Sequence, residues 1–374
     1  MDEVQKTEAA IQKPTYTYEA TKVLEYPDIV TAVRANVPMY VGGTGLFGFV
    51  HYLVSPVALL LACGAKRLDV RVENGFEIRS DVVIPVERTL EGSIVPFQTI
   101  RSLPGGPGRN RVDATVLTAL SQELSVTVDN GAQVQEWRFV QGVLDSHHTV
   151  GTTEATDSVP GTTLRFVPDQ TLLTVTDLSP SAFESYLRRL SYLHEGVHFS
   201  FTMGGERREY HTQQGMLELF QGLAAPYQLM HEPIHLVAHV PAAAPSRGDL
   251  DLEVVMAYHS WKENHIWSFI NRGRSVEGGT HEQGFTQALK VLKRKLDLPD
   301  SFNNAVVAVL AIRYPGATWE GCLKAKIGNP ELRTMVSRSV VDGVLKWLDE
   351  HPAVEAQIRQ LQTFQFPEAW SGRL

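Results

Sequence analysis

The chain has 374 residues, with 34 Lys and Arg against 42 Asp and Glu, a formal charge of −8 and 43% hydrophobic residues. That length exceeds what one core usually organises, so two domains are expected, and the apolar content is ordinary for a globular protein with a sizeable core. The acidic balance and the lack of a long basic run argue against a nucleic-acid partner. Two distant cysteines, Cys63 and Cys322, give no disulfide framework and fit a reducing cytoplasm.

In chain order, residues 1–20 are polar and read as an arm outside the core. From Arg34 to Lys66 the chain runs 31 residues without a charged side chain, "ANVPMYVGGTGLFGFVHYLVSPVALLLACGA". A membrane helix needs about 20 predominantly apolar residues. Five glycines, two prolines and the Ser55-Pro56 break disfavour a span, and the stretch starts too far in to be a cleaved signal. No membrane segment is expected, so the missing charge needs another cause.

"RLDVRVENGFEIRSDVVIP" then alternates around Asn74-Gly75 and predicts a β-hairpin. "SLPGGPGRNR" (102–111) is a Gly/Pro-rich loop, and "VDATVLTALSQEL" has the apolar spacing of a helix. Strands are expected at "SVTVDNG", "VQEWRFVQG" and "TTLRFVPD", with "DSHHTVGTTEATDSVPGT" as loop between the last two. "SPSAFESYLRRLSYLHEG" reads as a helix stopped at Gly196. Beyond 213 the mixture repeats: a helix, strands at 235–240 and 252–270, a helix near 282–296, a strand in "NAVVAVLAIRY", then helices. The interleaving predicts two α+β layers.

"HEGVH" (His194–His198) and "HEPIH" (His231–His235) both match H-E-x-x-H. That pattern holds zinc when both His project from one helical turn. Gly196 inside the first and Pro233 inside the second deny the helix. Both are expected to be loop and strand-edge histidines, with no metal site.

"HIWSFINRGRSVEGGTHEQGF" (265–285) closely resembles a segment of the type IIA topoisomerase ATPase subunits, the gyrase B and topoisomerase IV ParE family. "KVLEYPDIVTAVRANVPMYVGGTG" is similar to that family's opening, "VDATVLTALS" to the helix after its ATP-lid, "GTTLRFVPD" to its G-T-x-x-x-F strand, and "WEGCLKAKIGNPELR" to its Gln-Thr-Lys loop. The resemblance covers the chain to roughly residue 350. It implies an α+β fold: an N-terminal arm (1–20), a GHKL (Bergerat) ATPase-like α/β sandwich (21–212), and a transducer domain of ribosomal S5 domain 2-like fold (213–374).

Under that resemblance, the uncharged stretch carries the helix on which the family places a Glu that activates water and an Asn that holds magnesium. An ungapped match puts Tyr52 at the Glu and Pro56 at the Asn, with Ser55, Leu59 and Leu60 at other acidic positions. ATP hydrolysis needs a positioned base and a cation against developing phosphoryl charge, and neither donor is present. Arg79 or Ser80 stands at the adenine-reading Asp, and Val82 and Val83 replace turn residues. In the lid only Gly108 remains within "PGRNRVD", although a phosphate nest needs glycine. Cys322 and Leu323 replace the first two members of the Gln-Thr-Lys loop, Lys324 and Thr162 persist, and Glu136 stands where the family has an Arg that meets coumarin-type inhibitors.

These changes share a direction, from polar to apolar. They imply a retained fold whose former nucleotide cleft takes an apolar small molecule, with no metal and no cofactor; the opposing expectation is a cleft filled by its own side chains. One expected function is a cofactor-free cyclase or isomerase in natural-product biosynthesis, with Tyr52, Lys324 and Asp81 as catalytic candidates. Ser55, Pro56, Leu59, Leu60, Val82, Val83, Arg109, Asn110, Thr162 and Cys322 are the ligand-contact candidates. Alternatives are a binding protein for a gyrase-directed antibiotic and a regulator that pairs with a topoisomerase subunit. The arm with Tyr16 and Tyr18 looks like the family's dimerising arm, and the resemblance implies an arm-swapped homodimer that, without an ATP switch, is either constitutive or absent.

Overall fold

The structure, a computed structural model, describes residues 26–99, 114–151, 159–174, 180–242, 248–271, 273–275, 277–320 and 326–365. The Asp28 carboxylate accepts the Thr31 amide at 2.7 Å and caps α1 (Ile29–Ala35), which α2 (Val37–Val41) and α3 (Leu46–Ala62) follow. The predicted hairpin is β1 (Arg67–Val72) and β2 (Phe76–Ser80), with Val72 opposite Phe76 and Gly75 at φ 138°. Next come the short pair β3 (Glu87–Arg88) and β4 (Ile94–Val95), α4 (Thr115–Leu120), β5 (Ser121–Asp129), β6 (Gln133–Val140), β7 (Val143–Gly151), β8 (Gly161–Pro168), α5 (Pro180–Leu193), β9 (His198–Met203) and β10 (Glu206–Tyr210).

Eight strands form one sheet in the order β10-β9-β1-β2-β8-β5-β6-β7, antiparallel except for the β1–β9 pair. Leu68, Val70, Ile78, Leu164, Phe166, Leu124 and Val126 alternate onto one face, where α1 to α5 cover them. The opposite face is polar and cross-braced, with Arg165 to Glu77 at 2.6 Å and Arg138 to Glu123 at 3.1 Å. The helix predicted through "SQEL" ends at Leu120, because Ser121 turns extended and Leu124, Val126 and Val128 feed the sheet core. The segment 145–151, expected as loop, belongs to β7, an edge strand whose side chains are mostly exposed and so lack apolar alternation.

The second unit starts with α6 (Met216–Ala224) and builds a five-stranded sheet from β11 (Ile234–Val240), β12 (Leu250–Tyr258), β13 (His265–Ile270), β14 (Gly273–Arg274) and, after α7 (Thr280–Lys295), β15 (Val306–Arg313), in the order β11-β12-β15-β13-β14. The small pair β16 (Trp319–Glu320) and β17 (Lys326–Ile327), α8 (Pro330–Glu350) and α9 (Pro352–Gln360) complete it. Period-2 alternation splits the strands cleanly. Leu252, Val254, Met256, Ala308 and Leu310 pack under α7 and α8, whereas Val255, Ala257, Val307 and Val309 pack under α6. No helix among the described residues is long and apolar enough to cross a membrane.

Candidate functional site

The uncharged stretch becomes α3, a 17-residue helix with Pro56 inside it. At 100° per residue, positions 52, 56, 59 and 60 share one face, and positions 54, 58, 61 and 62 share another roughly opposite. The first stripe is enclosed: Tyr52, Leu59 and Leu60 are 0% exposed, and Pro56 is buried. Tyr52 packs edge-on against Phe166 and stacks with Phe49. Its hydroxyl lies 2.8 Å from Ser121 Oγ, and Ser121 gives its one proton to the Leu117 carbonyl at 2.6 Å. Tyr52 is therefore the donor of that pair. Burial drives its pKa far above the phenol range, with the Ser121 bond only partly offsetting, so it is a neutral core side chain. A stripe enclosed in the core has no place for an unpaired charge, and that accounts for the apolar residues at positions 52, 56, 59 and 60.

The corner where β2 ends and β8 begins, which the resemblance assigns to adenine, is also occupied by the chain itself. Thr162, 1% exposed, donates its hydroxyl to the Val82 carbonyl at 2.6 Å and accepts the Ile84 amide at 3.2 Å. Gly161 beside it comes so close to Ser80 that a Cβ would sit 2.1 Å from the Ser80 carbonyl oxygen. The loop thus folds onto the threonine and takes up its hydrogen-bonding capacity. Val82 is half-buried against the core, and Val83 turns outward. Asp81 lies on the surface, where one carboxylate oxygen accepts the amides of Lys66 and Arg67 at 2.9 and 3.0 Å; it tethers the start of β1. Ser55 is half-buried.

The second stripe of α3 meets open space. A cavity of about 430 Å³ lies between the two units, with Val54, Ala58 and Leu61 of α3 and Leu190 and Leu193 of α5 on one side. Its floor is the part of the second sheet that α6 does not cover. There Val237 stands opposite Glu253, and Glu253 opposite Ala311, in one cross-strand row, and Asp251 pairs with Arg313 in the next. Arg189 from α5 and Arg274 from β14 bring two guanidinium groups to the same space.

Among the sequence-predicted site residues, then, the structure brings Tyr52, Pro56, Leu59 and Leu60 together on one enclosed face, and Val82 with Thr162 at one corner. Asp81 lies among other partners. Arg109, Asn110, Cys322 and Lys324 lie outside the described residues, as does the arm with Tyr16 and Tyr18. Glu136 is an exposed side chain of β6 that accepts the Ser125 hydroxyl at 2.8 Å. His194 follows the end of α5 while His198 opens β9, so the first H-E-x-x-H pair does not share a helical turn. His231 accepts the Tyr258 amide at 2.9 Å through Nε2, and His235 bonds Glu253 at 2.9 Å. Arg189 and Arg274 were missed in sequence. The only signal was a second arginine in "LRRL", placed between the apolar positions Tyr186 and Leu190 of α5.

Residues 215–365 match the family model described as DNA gyrase B. The gyrase B subunit of Archaeoglobus fulgidus is 26% identical over 365 residues, which is 89% of this chain and 56% of the relative. That of Enterococcus faecalis is 28% identical over 381 residues, 91% and 57% respectively. The chain therefore spans a little over half the length of these curated relatives. Among solved structures, the 43K ATPase domain of Thermus thermophilus gyrase B, crystallised with an aminocoumarin, superposes with a TM-score of 0.72 at 24% identity, covering 89% of this chain and 93% of that one. The ATP-binding domain of Francisella tularensis topoisomerase IV gives 0.68 at 18% identity, covering 89% and 95%. The fold is thus that of these gyrase B and topoisomerase IV ATP-binding regions, and the chain is similar in sequence to DNA gyrase B subunits over most of its length, with residues 215–365 matching the DNA gyrase B family model.

Proposed function

We propose that this chain has lost ATP hydrolysis and acts by binding an apolar small molecule. The fold family implies ATP and magnesium, and the residues present do not fit them. The observation that carries this is the closure of the nucleotide face. Tyr52 is sealed in the core with its proton committed to Ser121, and the Thr162 hydroxyl is held by Val82 and Ile84. Pro56, at the position that the resemblance assigns to the magnesium ligand, has no side-chain donor atom. A carboxylate could not replace Tyr52 without standing unpaired among Phe49, Phe166 and Leu53.

Calorimetric titration with a non-hydrolysable ATP analogue and magnesium tests this. No binding is expected. Saturable binding at micromolar strength would overturn the proposal, because the Thr162 corner would then have to open for nucleotide.

A further inference from the structure

We propose that the cavity between the two units is a binding site for a small amphipathic carboxylate, its head held by Arg189 and Arg274 and its body laid along α3 and α5. The proposal rests on the reading that the chain binds an apolar small molecule, and it names the place and the head group. It also moves the ligand off the closed nucleotide face and onto the opposite stripe of α3.

The charges around the cavity argue for an anion. Asp251 and Glu253 already have partners of their own: Asp251 lies 2.7 Å from His239 and 3.9 Å from Arg313, and Glu253 is hydrogen-bonded to His235 at 2.9 Å. Arg189 and Arg274 form no ion pair among the described residues. Arg189 is half-buried, with its guanidinium over the Tyr186 ring at 5.6 Å from the centroid. Burial pulls its pKa below the usual range, and repulsion from Arg274 adds to that. Two guanidinium groups lining one space, Arg189 half-buried and neither in an ion pair among the described residues, are an arrangement that a bound anion relieves. A guanidinium takes a planar carboxylate in a two-pronged bond, so two of them can share one head.

The rest of the lining selects the body. Val54, Ala58, Leu61, Leu190 and Leu193 supply the apolar part of the lining. A volume of about 430 Å³ falls in the range of small-molecule sites, which favour domain boundaries. Asp251 and Glu253 on the floor disfavour a second anionic group. The ligand class is a monoanion with a hydrocarbon or polyene body.

Decanoate and 1-decanol are the probes, titrated calorimetrically into wild type, Arg189→Gln, Arg274→Gln and Val237→Trp. Arg274 and Val237 are exposed, so the last two variants keep the fold even if the first does not. Decanoate is expected to bind at one site. Each Arg→Gln change should weaken it roughly tenfold, the scale of a lost charged hydrogen bond, and leave 1-decanol unmoved. Val237→Trp narrows the cavity and should weaken both probes. Decanoate that fails to saturate, or that binds Arg274→Gln and Val237→Trp as it binds wild type, overturns the proposal. The ATP-analogue titration on the same preparations separates the two readings. Nucleotide binding with an arginine-dependent decanoate site sinks only the loss of the ATP site, whereas silence to nucleotide with arginine-independent decanoate sinks only this inference.

Discussion

Tyr52 is a structural side chain at the position where the family resemblance implies a catalytic carboxylate. Its ring fills space among Phe49 and Phe166, and its hydroxyl bonds Ser121. Tyr52→Phe keeps the packing and removes one neutral hydrogen bond. It should lower stability by about 1 kcal/mol, read as a shift in the urea midpoint at unchanged slope. Tyr52→Glu restores the residue type that the family resemblance implies at this position, but places a carboxylate where nothing pairs with it. That variant should lose about 3 kcal/mol or more and still release no phosphate from ATP. ATP turnover by Tyr52→Glu alone would show that the enclosure of this face is loose.

At the scale of elements, much of the stability hangs on a few polar ties between helices and strands. Arg34 of α1 donates to the Ala119 carbonyl of α4 at 2.7 Å and to Asp169, just beyond β8, at 2.8 Å. Burial pushes the Asp169 pKa up, but the Thr171 and Arg34 bonds outweigh it and hold the carboxyl below its ordinary value. A depressed carboxyl stabilises the fold above the unfolded pKa and loses that contribution as pH falls through the folded one. Asp169→Asn should therefore cost about 3 kcal/mol at neutral pH, with the gap to wild type narrowing below roughly pH 4. His231 ties β12 in the same way. Burial holds its pKa down at about 4, with the Glu232 carbonyl only partly offsetting. Since the unfolded imidazole takes its proton near pH 6.5, stability should fall by roughly 3 kcal/mol between there and pH 4. His231→Gln can still accept the Tyr258 amide and should flatten that slope in urea melts. These elements were unequally legible in sequence. The 67–80 hairpin announced itself through alternation and Asn-Gly, and the "GGTH" helix through its spacing. β7 could not, because an exposed edge strand has no apolar face to print a pattern. The apolar character of α3 was legible as well, but its two stripes have the same spacing, and only the packing tells which one is sealed and which faces a cavity.

At the scale of the molecule, the two units have separate hydrophobic clusters, one drawn from residues between Val30 and Phe201 and the others from Met216 onward. Between them lies a cavity with a charged floor, a boundary less apolar than either interior and therefore a weak coupling of the kind that lets domains melt separately. Two calorimetric transitions are expected for the ligand-free chain. The cavity walls come from both units, so a molecule bound there is lost as soon as either unit opens. At a hundredfold excess over its dissociation constant it stabilises the intact state by about 2.7 kcal/mol, which for a unit of this size is an upward shift of roughly 5–10 °C. Only the first unfolding step releases the ligand. Decanoate should therefore raise the lower transition towards the upper one and leave the upper in place. A single two-state transition without ligand would show that the boundary is packed as tightly as the cores. Equal shifts of both transitions would mean a site within each unit, and the shared cavity would have no part in binding.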